Sequence, residues 1–394
     1  MINRILTPRE LIIGGGSIAQ LPALLGRLGV SRPLLVIDPG VLKLGLAEPA
    51  IAAMRAAGIE LDIFAEVIED PTDATVALAV ERIRSRERDS VIGFGGGSAI
   101  DTGKAATIVA STGEAVHALK VPRIVDLSVM PFIAVPTTAG TGSEVTRACV
   151  ITDTQRQEKM LILGTAALPA AAIVDFELTL TCPFRVTVDT GLDALTHALE
   201  AIINRNRNAH ADALAFSALA LIGAHLETAA SEPGNRAARE AMMLGATHAG
   251  LAVSNTSTAL IHGLSRPIGA FFHVPHGLSN AMLLPLVTAY SLSAAPRQYA
   301  AAARALGWAT AGDSDAHAGR TLVQGFIGLN ARLKVPTPQN FGIGGERYQA
   351  LLPEMARQAL SSGTPQNNPR IPDTDEIIEL YRNAWDGRVP VFFR

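Results

Sequence analysis

Cysteine is nearly absent from this chain: there are two in 394 residues, Cys149 and Cys182. Two cysteines cannot build a disulfide framework and these two lack metal-site spacing, so a reducing, cytoplasmic setting is expected. Charge is also sparse, at 18% of residues with a net −3. No electrostatic footprint exists for a nucleic acid, and none is expected as a partner. The one dense basic stretch, Arg82 to Arg88, is interleaved with Glu81, Glu87 and Asp89 and reads as a solvated helix face. No uninterrupted apolar run opens the chain, because Arg4, Arg9 and Glu10 break it; secretion is not expected. Of two uncharged stretches, Met160–Val174 is short for a membrane span and contains Pro169. The other, Ala241–Ser265, carries His248, Ser254, Asn255, Thr256, Ser257 and His262 and is read as a buried helix, so no membrane partner is expected. Neither a Gly-x-Ser-x-Gly elbow nor a phosphate-loop signature is found, which argues against a protein nucleophile.

What the chain has in abundance is apolar residue, 48% of the total. With this length, that predicts two sizeable cores and two domains. The first half alternates strand and helix signals. Leu34–Asp38, Glu60–Phe64, Ser90–Phe94 and Phe132–Val135 read as strands, with Leu46–Ala57 and Thr75–Arg84 as helices between them. Such alternation predicts a mostly parallel sheet covered on both faces. After about Pro183 helical periodicity takes over, at Asp193–Ile203, Ala211–Thr228, Arg236–Ala252 and Gln298–Leu306. The expected division is an α/β domain over 1–180 and an all-helical domain over 181–394.

Two glycine clusters compete for a dinucleotide in the first part. Gly14-Gly15-Gly16-Ser17-Ile18-Ala19 matches G-x-G-x-x-A, with Asp38 at about the expected distance. Gly95-Gly96-Gly97-Ser98 directly follows a predicted strand and opens a helix containing Asp101 and Lys104. Glycines there let backbone N–H groups approach a pyrophosphate at a helix N-terminus, so the second cluster is preferred. Asp38 at a strand end suits a ribose 2′-OH and would repel a 2′-phosphate, favouring NAD; a plain Asp-Pro-Gly turn accounts for it equally well. Between Pro136 and Glu144, four hydroxyls and two glycines offer small donors to a polar ligand.

In the second part Asp193 and His197 stand at i and i+4, on one helix face. His262 lies in an apolar helical stretch where an unpartnered imidazole would be costly. His276 sits in His273-Val274-Pro275-His276-Gly277, where Pro and Gly fix a turn. Three imidazoles and one carboxylate suit Fe²⁺ or Zn²⁺, with a position left for a substrate oxygen.

Taken together, Gly191–Glu200, His262–Ala270, Val274–Gly277, Gly95–Ser98 with Asp101 and Lys104, Pro136–Glu144, Asp175–Thr179 and Asn368-Pro369-Arg370 resemble the iron-containing (group III) alcohol dehydrogenases. The nearest branch is the lactaldehyde reductase and 1,3-propanediol dehydrogenase group. The resemblance implies a dehydroquinate synthase-like fold, a Rossmann-like domain followed by a helical one with the active site in the interdomain cleft. It implies hydride transfer between NAD(H) and a small primary alcohol, diol or aldehyde, at a metal held by Asp193, His197, His262 and His276. It further implies pyrophosphate contacts from Gly95, Gly96, Gly97 and Ser98, a ribose contact from Asp38, and adenine and phosphate contacts from Thr137, Thr138 and Thr141. Asp101, Lys159 and Leu178 match positions lining the nicotinamide end, and a homodimer or larger homo-oligomer is implied.

One departure stands out: many relatives carry a second histidine where this chain has Arg266. Pro267 is expected to end the helix about there. Three readings follow for this position: His273 handles the substrate's proton, Arg266 pairs with a substrate carboxylate, or Arg266 pairs with a protein carboxylate. A glycerol dehydrogenase or dehydroquinate synthase would share the fold, but the fourteen residues from His262 to His276 favour the iron-type branch. A maleylacetate reductase-like or hydroxy-acid enzyme keeps an acidic substrate in view. A non-catalytic nucleotide-binding protein is disfavoured by retention of all four ligands.

Overall fold

The computed structural model describes residues 2–156 and 158–390, which group into two compact units. One comprises Arg4–Cys182 together with Pro233–Gly250; the other comprises Pro183–Glu232 and the residues from Leu251 on.

In the first unit the strands are β1 (Glu10–Ile13), β2 (Pro33–Ile37), β3 (Asp62–Phe64), β4 (Ser90–Gly95), β5 (Phe132–Pro136), β6 (Ala148–Asp153), β7 (Glu158–Leu163) and β8 (Ala171–Val174). Helices α1 (Leu21–Leu28), α2 (Pro39–Lys43), α3 (Glu48–Ala56), α4 (Asp73–Ser85) and α5 (Gly97–Thr112) fall between them. Six strands form one sheet in the order β1-β8-β5-β4-β2-β3, every pair parallel. Helices lie on the sheet's faces, so β2, β4, β5 and β8 are buried at every residue. That double burial is why these strands read as continuous apolar runs. Strands β6 and β7 form a separate antiparallel hairpin. The hairpin and β1 and β8 are additions to the sequence reading, because four-residue strands and a hairpin with half-exposed positions leave little periodic signal.

Sheet order decides where a ligand goes. From β2 the chain moves outward to β3, and from β4 it moves the opposite way to β5. The switch point therefore lies between β2 and β4, and ligands of open parallel sheets bind beyond the carboxyl ends of such strands. Asp38 follows β2 and Gly95–Gly97 follows β4, so both flank it.

The remaining helices are α6 (Phe184–Ile203), α7 (Ala209–Ser231), α8 (Arg236–Ser254), α9 (Leu260–Phe272), α10 (His276–Ser291), α11 (Pro296–Ala305), α12 (Asp315–Arg332), α13 (Pro338–Phe341), α14 (Gly345–Ser361) and α15 (Thr374–Trp385). The stretch Ala241–Ser265, expected as one buried helix, is broken: α8 ends at Ser254 and α9 starts at Leu260. Asn255 and Thr256, weak helix formers, close off α8, with the Thr256 hydroxyl donating to the Ala252 carbonyl. The chain also continues as helix through Pro267, where an end was expected. Leu264 and Ile268 are fully buried, and that packing outweighs the lost backbone bond. Among the described residues, α7 alone is long and apolar enough to cross a membrane by length and composition.

Candidate metal centre and nucleotide site

Helix α6 is buried along its second half, so Asp193 and His197 lie in a region almost without water, 1% and 7% exposed. Isolated there, a carboxylate would be driven to protonate. It is not isolated. Oδ1 of Asp193 lies 3.5 Å from His262 Nε2, 3.8 Å from His276 Nε2 and 4.0 Å from His197 Nε2. Burial alone would raise the Asp193 pKa, yet the imidazoles hold it well below the usual carboxylate range. The His197 and His262 rings stack at 4.5 Å, and His276 tilts against His262 at 5.3 Å.

Three helices supply these four groups, and each is placed for a visible reason. His262 is the third residue of α9, whose N-cap, Ala259, offers no side-chain acceptor. The carboxylate of Glu200, one turn beyond His197 on α6, does that work. It accepts from the backbone N–H of Ala259 and of Ile261, both at 2.6 Å, and of His262 at 3.4 Å. The same carboxylate accepts from Nδ1 of His262 at 2.8 Å, which turns Nε2 toward Asp193. Burial opposes a charged imidazole, but Glu200 and Asp193 outweigh it and raise the His262 pKa to about 9. His276 opens α10 after Pro275, and Gly277 lets α10 approach α6: a Cβ there would lie 2.1 Å from the Asp189 carbonyl oxygen. One turn on, Asn280 donates through Nδ2 to Asp193 Oδ1 at 2.7 Å, with His262 Nε2 at 3.1 Å.

The residues fit a divalent metal. Ligand atoms of a tetrahedral site with bonds of about 2.1 Å lie about 3.4 Å apart, close to the separations around Asp193 Oδ1. Asp193, His262 and His276 form a cluster with all ligand atoms within 4.8 Å of one another, and His197 sits at its edge. The Asn280 Oδ1 atom is buried without a hydrogen-bond partner, as a group beside a polar occupant would be. Sequence reasoning missed Glu200 and Asn280. Glu200 sits in the Asp-x₃-His-x₂-Glu spacing of α6, which would have flagged a carboxylate on the same face.

His273 is not brought into this cluster. It is the exposed C-cap of α9, in the left-handed region at φ 55°, and its backbone N–H closes the helix on Gly269. Asn368 and Arg370 also lie elsewhere, tying the end of α10 to α15: Asn368 donates to Ser291, and Arg370 pairs with Glu376 over the Tyr290 ring.

The first unit gathers the remaining residues. Gly95 has φ +151°, a backbone few side chains tolerate, and Gly96 caps the 16-residue α5 with no side chain blocking its end. Its first N–H groups are thus available to a phosphate. Thr138 lies beside Gly96 and Thr141 beside Gly97, while Thr137 is buried with its N–H on the Gly95 carbonyl. Asp38 is adjacent to Gly95, and its Oδ1 accepts from Gly40 and Val41 N–H, capping α2. The turn reading of Asp38 is therefore real, yet among the described residues Oδ2 has no hydrogen-bond partner.

The other glycine cluster is spoken for: Asp175 accepts from the N–H of Gly16 and Ile18. Lys104 is buried and donates to the Thr146 and Ala148 carbonyls. Asp101 accepts from Ser143 Oγ and Val150 N–H, bracing the threonine loop against α5 and the β6–β7 hairpin. Lys159 on β7 pairs with Asp70 at 2.9 Å, and Leu178 packs in the core beneath the sheet.

Comparison with known proteins identifies the family. The family described as iron-containing alcohol dehydrogenase matches residues 8–176, and the C-terminal region of the Fe-containing alcohol dehydrogenase family matches 187–385. The chain is 34% identical to the 1,3-propanediol dehydrogenase of Citrobacter freundii, over 96% of this chain and 98% of that one. It is 33% identical to the lactaldehyde reductase of Escherichia coli K12, over 98% and 100%. It is 32% identical to the NAD-dependent methanol dehydrogenase of Bacillus methanolicus, over 96% and 98%. A solved 1,3-propanediol oxidoreductase superposes with a TM-score of 0.93 at 33% identity, covering 98% of this chain and all of that one. With a three-helix aspartate–histidine cluster, a strand–glycine–helix turn at the switch point and both family regions matched over most of its length, the chain belongs to the iron-containing alcohol dehydrogenase family.

Proposed function

We propose that this protein is an NAD(H)-linked oxidoreductase that interconverts a small primary alcohol or diol and its aldehyde at one bound divalent metal. The observation that carries the reading is the Asp193–His262–His276 cluster, its first two members buried and His276 open to solvent, with His262 turned by Glu200, a donor set suited to a cation. Asp193, His197, His262 and His276 would hold the metal, Fe²⁺ with Zn²⁺ as the alternative. When bound, it supplies a Lewis acid that lowers the pKa of an alcohol oxygen or polarises an aldehyde.

The chain's own residues do the rest. Glu200 keeps the His262 Nδ1 proton and so leaves Nε2 as the ligand atom. Asn280 steadies the Asp193 carboxylate. Gly95, Gly96, Gly97 and Ser98 at the start of α5, with Thr138 and Thr141, receive the dinucleotide phosphates; Asp38 Oδ2 accepts from the adenosine ribose and disfavours a 2′-phosphate. A cytoplasmic homodimer or larger homo-oligomer is the assembly we infer, in keeping with the paucity of cysteine.

The test is metal analysis of anaerobically purified protein, coupled to NADH absorbance over short alcohols, diols and aldehydes. About one metal per chain and NAD-linked turnover that disappears in His262→Ala is the expected result. Metal-free protein that binds NADH but stays inactive after Fe²⁺ or Zn²⁺ addition would overturn the reading in favour of a non-catalytic nucleotide-binding protein.

A further inference from the structure

Arg266 has no hydrogen-bond or ion-pair partner among the described residues, although it is partly buried on α9. Its one charged neighbour is Glu200, whose carboxylate already accepts from three backbone N–H groups and the His262 imidazole. Burial pushes the guanidinium down to about 10. Several other arginines of this unit are paired, among them Arg185 with Asp189, Arg332 with Glu227 and Arg370 with Glu376, while Arg205, Arg297 and Arg320 are exposed to solvent.

The position of this unmet cation is set by the helix. Because α9 runs unbroken through Pro267, Arg266 stands four residues after His262, on the same face and about 6 Å along the axis. Helical side chains lean toward the N-terminus, a direction that leads from Arg266 back toward the His262 turn, and Glu200, which holds His262, is its charged neighbour. Its planar fork presents five N–H donors matched to an oxyanion. Desolvating such a group without a protein acceptor is costly, and a neutral alcohol that displaced its water would leave the cost uncompensated.

We propose that Arg266 receives an oxyanion carried by the substrate itself, so that the preferred substrate is a short aldehyde or alcohol bearing a carboxylate or sulfonate. This rests on the oxidoreductase reading above and narrows it to a substrate class. The balanced reaction is ⁻X–R–CHO + NADH + H⁺ → ⁻X–R–CH₂OH + NAD⁺. A C–H bond of the dihydronicotinamide breaks, a C–H bond forms at the carbonyl carbon, and the oxygen takes the proton. X stays bound to the Arg266 fork throughout.

Two measurements on metal-loaded protein test the assignment. Calorimetric titration of the NADH complex with butyrate, propanesulfonate and neutral 1-butanol reads anion binding without turnover. Reduction of succinic semialdehyde and of butanal gives a kcat/KM ratio of acidic to neutral aldehyde. In Arg266→Met, anion binding is lost and that ratio falls roughly 10- to 100-fold, the size of a charge-assisted hydrogen-bond pair. Arg266→Lys, which keeps charge but not the fork, falls between. Tighter butyrate or tighter propanesulfonate in the wild type assigns the carboxylate or the sulfonate. Anion binding undiminished in both variants, a uniform loss on both aldehydes, or a weakened NADH affinity with anion binding intact would each overturn the proposal. If the wild type reduces neither aldehyde, the activity reading fails, and calorimetry alone still decides whether Arg266 binds an anion.

Discussion

The cation cluster of the helical unit and the glycine turn of the sheet unit solve opposite problems by opposite means. A cation needs negative or lone-pair atoms converging on a point, and only side chains supply them. Each must therefore be fixed separately: His262 by Glu200, Asp193 by Asn280, His276 by the approach that Gly277 permits. An anion is met by backbone N–H groups at a helix start, and the sequence has only to keep side chains out. The lysine of the helix that starts there, Lys104, is turned inward to carbonyl oxygens. The cluster is thus sensitive to loss of single side chains, and the turn to their gain.

The largest effect is expected for Glu200→Ala, which leaves three N–H groups and the His262 Nδ1 proton buried without an acceptor. Removing one partner from a buried charged network costs about 3–5 kcal/mol, and metal content measured by mass spectrometry should fall most of the way to zero. Glu200→Gln should weaken metal affinity about 10- to 100-fold, as loss of an outer partner does. If either change lowered NADH affinity equally, the separation of the two regions would be wrong.

Gly277→Ala comes next, since its methyl would meet the Asp189 carbonyl and push α10 from α6. About 1–3 kcal/mol of stability should be lost, read by denaturant titration, together with metal. The mirror-image test is Gly95→Ala at φ +151°. Strain of about 1–3 kcal/mol there should weaken NADH binding, followed by fluorescence, while metal content holds.

A pH dependence sharpens the cluster further. In metal-free protein the His262 pKa is raised to about 9, so the stability it contributes is complete below its unfolded value near 6.5 and is lost as pH climbs through about 9. Denaturant midpoints of metal-free protein should drop across that window, and metal uptake near neutral pH should release a proton. Smallest of all, Asp38→Ala should cost about 1 kcal/mol by uncapping α2. It should also narrow the preference for NADH over NADPH roughly tenfold, judged from the ratio of their dissociation constants.

Asp193, His197, His262 and His276 were legible because helical spacing and imidazoles in apolar stretches are local signals. Gly95–Ser98 was legible for the same reason, as a strand–glycine–helix succession. Strand and helix alternation gave the parallel sheet, since double burial writes itself into apolar runs. Its order, and with it the placing of Asp38 beside Gly95, had no local trace: pairing between strands is set by contacts distant in sequence.

The sequence by itself determined which residue types could hold a metal and a phosphate, because those depend on chemistry and on spacing within one helix or one turn. Only the tertiary structure decided who supports them. Glu200 meets the start of α9 some sixty residues away, Asp175 occupies the N–H groups of the rival glycine cluster, and Arg266 is kept on the His262 face because core packing carries α9 past Pro267. Each of these choices turns on what burial leaves nearby to accept a hydrogen bond, which no local pattern records.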